Sequence, residues 1–176
     1  EAVMAFINQR SLEYSRDLAA ERGPFPNYRG STWDKPDARP LRNATVTTIA
    51  PTGTISIIAG CSSGVEPLFA VAFKRRILDG DELTEVHPIL LDIAKDGGFY
   101  SADLMERIAG NGHIQTMAEI PAEIRRLFVT AHDVTPDWHV KMQAAFQKHT
   151  NNAVSKTINF PKHATKEDVR QAYEMA

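Results

Sequence analysis

The stretch Ile49–Gly60, IAPTGTISIIAG, sets a turn of small residues between two apolar runs. Thr52, Gly53, Thr54 and Ser56 arrive almost together, and apolar residues resume at once. Such a turn suits a phosphate. Several backbone N–H groups can converge on the anion, hydroxyls donate without adding a counter-charge, and a glycine lets the backbone come close. A helix opening here would add the positive end of its dipole. The stretch has no G-x-x-x-x-G-K-[ST] signature. A plain strand-to-helix turn, its hydroxyls satisfying nearby backbone groups, fits the same residues.

Working outward, Ala44–Ala50 (ATVTTIA) is rich in β-branched residues and reads as a strand. ISIIAG after the turn is either a short helix or more strand. Upstream, residues 2–20 carry Val3, Phe6, Ile7, Tyr14 and Leu18 near helical spacing, and Gly23 with Pro24 ends that helix. Residues 23–42 are a long loop with four prolines, of the kind that is functional or packed over something. Downstream, VAFKRRILDGDELTEV reads as two strands about an Asp79-Gly80 turn. Residues 88–96 and PAEIRRLFVT read as helices, the latter with Pro121 in its first turn.

TPDWHVKMQAAFQKHT is a clear helix, with Thr135 as N-cap candidate and Trp138, Met142, Ala145 and Phe146 as its buried stripe. AVSKTINF reads as a strand closed by Pro161, and Thr165 with Asp168 opens a final helix in capping-box fashion. Helices alternate with strands, so the class is α/β. Three or four strands cannot close a barrel but suit part of one.

The 176 residues are 43% hydrophobic and 24% charged, the balance of one ordinary globular unit. A net charge of -2 supplies no basic field for nucleic acid, and the Arg125–Arg126 pair reads as a solvated helix face. No apolar run reaches the length of a membrane span. One cysteine, Cys61, rules out an internal disulfide and points to a reducing compartment, the cytoplasm. With no histidine near it in sequence, Cys61 reads as a small buried residue rather than a nucleophile. The six histidines form no H-x-x-x-H or H-E-x-x-H pattern, so no metal site is expected; His132 with Asp133 is an acid–base pair or a solvated loop. Glu66, between Val65 and Pro67, must be paired or hydrogen-bonded, either orienting a site loop or bracing its own turn. Lys156 faces a phosphate, a carboxylate or solvent. The first residue is Glu rather than Met, and both ends fall inside helical patterns, which suggests a piece of a longer chain.

Three long segments, RNATVTTIAPTGTISIIAGCSSGVEPLFA, DWHVKMQAAFQKHTNNAVSKTINFP and ATKEDVRQAY, resemble the C-terminal part of the catalytic chain of ribonucleotide reductases. The similarity is strongest to the adenosylcobalamin-dependent class, covers nearly the whole chain, and is looser over about residues 79–125. It implies residues 1–176 are one segment, cut at both ends, of a ten-stranded α/β barrel. It implies reduction of the ribose 2′-hydroxyl of a ribonucleotide by thiyl-radical chemistry, with adenosylcobalamin generating the radical. A thioredoxin-like reductant and a homodimer are the partners implied for the complete enzyme. It also implies that Pro51, Thr52, Gly53, Thr54, Ile55 and Ser56 hold the substrate's phosphates.

The departures are specific. The family's Asn-x-Cys-x-Glu motif and its C-terminal cysteine pair are both missing from this sequence, and Cys61 matches neither. No catalytic residue is therefore expected in this segment. The oxygen-dependent, di-iron class carries a glutamate and more serines in the matching loop, where this chain reads Thr-Gly-Thr-Ile-Ser. A free-standing nucleotide-binding module without catalysis is the alternative.

Overall fold

The computed structural model describes residues 1–76 and 82–176. Helix α1 (Ala2–Arg22) ends where Gly23 takes φ 77 and its N–H bonds the Ala19 carbonyl. Its apolar residues do not form an inward stripe: Val3, Phe6 and Tyr14 are exposed, and the buried contacts come from Ser15 and Ala19. The reason is local. Ser15 Oγ receives the Asn43 N–H at 3.0 Å and the Ser15 carbonyl receives the Arg42 N–H, so a small residue must face the returning chain. The proline-rich loop is packed, as expected. Tyr28 and Leu41 are buried in it, and Trp33 Nε1 donates to the Ala44 carbonyl at 2.9 Å.

The undecided segment after the turn is helix α2 (Gly53–Ala59). An antiparallel hairpin follows, β1 (Ala72–Arg76) and β2 (Glu82–Val86), with Ala72 opposite Val86 and Arg76 opposite Glu82. The expected Asp79-Gly80 turn lies outside the described residues. Helices α3 (Pro88–Asp96) and α4 (Ala102–Asn111) pack behind the hairpin. Helix α4, which the sequence pattern does not announce, is capped by Ser101, whose hydroxyl accepts the Leu104 N–H. Leu104, Met105, Ile108 and Ala109 of α4 join Val71, Leu90, Ala94, Ile114, Ile120 and Phe128 in the main apolar core.

Helix α5 (Ala122–Leu127) starts one residue after Pro121, which is its N-cap. Arg125 is not on a solvated face. It turns inward and donates to the carbonyls of Ile120 and Gln115. Helix α6 (Pro136–Gln147) buries His139 and Val140, whereas Trp138 and Met142 are exposed. The stripe expected on α6 is thus rotated, because a polar anchor described below takes the inward position. Thr135 occupies the N-cap but its hydroxyl turns to Asp137 instead of an amide. Helix α7 (Lys166–Met175) packs on α6, and its capping box is formed as expected by Thr165 and Asp168.

The strands expected at 44–50 and 153–160 reduce to one parallel bridge, Ile49 with Val154. Side chains take the place of ladder partners. Asn151 Oδ1 accepts the Val46 N–H at 2.9 Å, and Thr47 Oγ1 accepts the Asn151 N–H at 3.0 Å. Gln147, at the end of α6, works likewise. Its Oε1 accepts the Val154 N–H, and its Nε2 donates to the carbonyls of Thr150 and Asn152. Two extended segments are thereby fixed side by side with few backbone bonds between them.

Ile108 is fully buried at the centre of the core. Ile108→Ala should lower the unfolding free energy by about 2–5 kcal/mol in a denaturant titration. Ile58→Ala, on the exposed side of α2, should change it by no more than about 0.5 kcal/mol.

Candidate functional site

The expected phosphate turn is the first turn of α2. Thr52 is the N-cap and lies in the left-handed region, φ 48 and ψ 28, where a β-branched residue is strained. One bond that holds it there comes from the following loop: the Gly64 N–H donates to Thr52 Oγ1 at 3.0 Å. Helix geometry leaves the N–H groups of Gly53, Thr54 and Ile55 without a carbonyl one turn earlier. Gly53, Thr54 and Ile55 are exposed, as is Pro51 before them. The three hydroxyls differ. Thr54 is open to solvent, the Thr52 proton has no acceptor among the described residues, and Ser56 is buried with its proton given to the Gly53 carbonyl at 2.8 Å.

Beyond α2, Gly60 is left-handed and the chain bends back through Cys61, Ser62 and Ser63. Cys61 is exposed, against the expectation of a buried residue, because it follows the last turn of a helix whose outer side meets solvent. This bend borders a cavity of about 620 Å³ whose rim includes Ser56, Cys61, Glu66, Thr157 and Asn159.

Glu66 and Thr157, on that rim, belong to a polar cluster that joins three separate stretches. Lys156 Nζ is 2.6 Å from Glu66 Oε2, 2.8 Å from His139 Nδ1 and 2.5 Å from the Thr157 carbonyl. Its side chain is only 3% exposed. Glu66 Oε1 accepts the Thr157 N–H at 2.6 Å. Lys156 thus faces a carboxylate, one of the partners weighed for it, and Glu66 has the partner its setting demanded. His139 was not singled out by sequence pattern. An ammonium can only donate, so Nδ1 must be the accepting nitrogen. Nε2 then carries the proton and donates to the Ala131 carbonyl at 3.0 Å. Burial pushes the His139 pKa below its ordinary value, and the Lys156 cation adds to that push against the opposing effects of Ala131 and Glu66.

His132 and Asp133 do not act as a pair. Asp133 accepts the Thr130 N–H and hydroxyl and so braces its own turn, while His132 stacks edge-on against Phe69. Among the described residues, no group of three His, Cys, Asp or Glu side chains is placed to hold a metal ion. Among them, too, no helix is long and apolar enough to cross a membrane.

Residues 35–176 match the family model for the ribonucleotide reductase barrel domain. The chain belongs to that family. It is 51% identical over its whole length to the vitamin B12-dependent ribonucleoside-diphosphate reductase of Thermoplasma acidophilum, of which it covers 23%. It is 47% identical, over 99% of its length, to the protein of the same name from Mycobacterium tuberculosis strain H37Rv, of which it covers 24%. The chain spans about a quarter of these curated relatives. Its fold matches the Actinobacillus ureae class Id ribonucleotide reductase alpha subunit with a TM-score of 0.79 at 22% identity, over 99% of this chain and 31% of that one. The fold is therefore a partial α/β segment of the reductase barrel, as the sequence resemblance implies.

The depressed pKa of His139 sets a sign for pH dependence in this reductase segment. The unfolded chain takes up the imidazole proton first, near the ordinary value of 6.5. This contribution to stability is complete above that value and is lost as pH falls from it towards the folded pKa. The melting temperature should therefore drop between about pH 7.5 and about pH 5.5. His139→Gln should flatten that slope when both proteins are followed by circular dichroism.

Proposed function

We propose that this chain is the phosphate-seating segment of an adenosylcobalamin-dependent ribonucleoside-diphosphate reductase. The complete enzyme would convert ribonucleotides to deoxyribonucleotides by thiyl-radical chemistry. The observation that carries the assignment is 51% identity along the entire chain to a relative bearing that name. The first turn of α2 supports the role given to this segment. Gly53, Thr54 and Ile55 are exposed residues whose N–H groups have no carbonyl one turn earlier, and with the Thr52 and Thr54 hydroxyls these donors suit the terminal oxygens of a diphosphate.

In this reading Pro51 fixes the entry to the turn, and Thr52, Gly53, Thr54 and Ile55 offer backbone or hydroxyl donors. Ser56 contributes through its packing and its bond to Gly53. No group in the segment performs the chemistry. The radical cysteine and the re-reducing cysteine pair belong to the remainder of the enzyme, since Cys61 is the sole cysteine here. Binding the phosphates orients the ribose without touching the reacting carbon, which is the positioning component of catalysis.

The cofactor is also assigned to the remainder. The cavity beside α2, about 620 Å³, is of small-molecule size and suits the substrate. When bound, adenosylcobalamin would supply the radical. A thioredoxin-like protein would return the electrons, and the enzyme would work as a homodimer. A lone cysteine that stands exposed is consistent with a reducing cytoplasm.

Gly53 provides the test. A Cβ built there meets nothing within 4 Å, so a larger residue is accommodated by the fold. Its added methyls would stand over the exposed amides. Gly53→Val in the complete enzyme should weaken ribonucleotide binding by about tenfold or more, roughly 1.4 kcal/mol, with an unchanged melting temperature. Isothermal titration would read this directly, and an unaltered Kd would remove the phosphate role from this turn.

A further inference from the structure

Glu66 has two oxygens, and both are committed to one short stretch of chain. One binds the Lys156 ammonium and the other the Thr157 N–H. The loop that carries Glu66 is equally committed at its other end. The Glu66 N–H bonds the Ser63 carbonyl, and the next residue along, Gly64, donates to Thr52 Oγ1. Gly64 lies at φ +53 with its missing Cβ 3.2 Å from the Ala50 carbonyl, so no larger residue fits without a shift. The loop is therefore wedged against both sides of Pro51 and pinned by the carboxylate.

We propose that Glu66 and Lys156 are positioning residues for the phosphate turn: their ion pair holds Gly64 against Thr52, and so keeps the amides of Gly53, Thr54 and Ile55 exposed. The inference rests on the phosphate role given above to α2. Its physical content is a mechanical chain. The pair is nearly sealed from water on the lysine side, so it has one stable geometry. The Gly64–Thr52 bond transmits that geometry to a residue held in a strained conformation. His139 completes the cluster by filling the third ammonium donor without adding charge.

Two other roles make different predictions. A plain brace would lower the stability of the enzyme and leave affinity per folded molecule unaltered. A direct contact between Glu66 and the reacting sugar, across the cavity it borders, would lower turnover rather than binding.

A double-mutant cycle in the complete holoenzyme separates these roles. Thr52→Val removes the hydroxyl acceptor and keeps the shape. Glu66→Gln removes the charge and keeps an oxygen for Thr157. Glu66→Gln should raise the Kd for a ribonucleoside diphosphate by about five- to tenfold, the loss of one hydrogen-bonded link, and Thr52→Val should raise it further, since that hydroxyl is also a phosphate donor. The double variant should be no weaker than the worse single one, because both break the same link. KM should rise with Kd, while kcat at saturation stays within about twofold of the parent.

Multiplying effects in the double variant would overturn the inference, as would a collapse of kcat at unchanged KM. Unchanged Kd in Glu66→Gln, with loss confined to melting temperature, would reduce the pair to a brace. Should Glu66→Gln fail to fold with Lys156 left unpaired, Glu66→Gln with Lys156→Met removes both charges and should show the same rise in Kd. The parent reading fails separately: silence of Gly53→Val and Thr52→Val together would show that α2 does not bind phosphate. A weakened Gly53→Val with a multiplicative Thr52/Glu66 cycle would keep the phosphate turn and discard the linkage.

Discussion

A lysine ammonium that is only 3% exposed dictates much of the site. A buried cation without partners is prohibitively unstable, so Lys156 must find acceptors for all its donors. It finds them on three stretches far apart in sequence: the loop after α2, the inward face of α6, and its own extended segment. Meeting that one demand sets the rotation of α6, puts His139 where an apolar residue was expected, and brings Glu66 over Thr157. Removing one partner would leave a charge stranded, which is far worse than removing the whole cluster.

The chain is put together by two different means. Residues around the hairpin, α3 and α4 share a conventional apolar core. The site-bearing elements depend instead on directed polar bonds: Thr52 with Gly64, Thr47 with Asn151, Glu66 with Thr157. Apolar side chains on those elements are correspondingly open. Ile55, Ile57 and Ile58 of α2 and Val3, Phe6 and Tyr14 of α1 all face outward. Directed bonds suit a site, since they specify orientation to a few tenths of an ångström, whereas apolar burial specifies mainly volume.

The same division explains what the sequence made legible. Elements with local signals were readable: the Gly23-Pro24 stop, the hairpin strands, and the Thr165–Asp168 box. The turn after Pro51 was readable because a proline, a glycine and small hydroxyl residues cluster there, and it forms the N-cap and first turn of α2. The demand of Glu66 for a partner was readable too, but the partner lies 90 residues away and no periodicity names it. Strands at 44–50 and 153–160 were overestimated. β-Branched composition marks an extended chain, yet side-chain amides there take the bonds that ladder neighbours would have made. Periodicity found both α1 and α6 but not their inward faces, for a related reason. It ranks residues by hydrophobicity, and the inward positions went to Ser15 and His139 because hydrogen-bond partners waited there.

Gln147 shows how little separates this junction from an incompatible one. Its amide nitrogen meets two carbonyls and its amide oxygen meets one N–H, so the side chain stands in for a peptide group of a missing neighbour. Replacing that nitrogen by oxygen changes one atom and almost no volume. Spontaneous deamidation does this chemically, and it would turn two attractions into two repulsions at the seam joining α6 to the Val154 segment. Ageing of the protein in storage therefore loosens the scaffold under the Lys156 cluster without cutting the backbone or altering the apolar core.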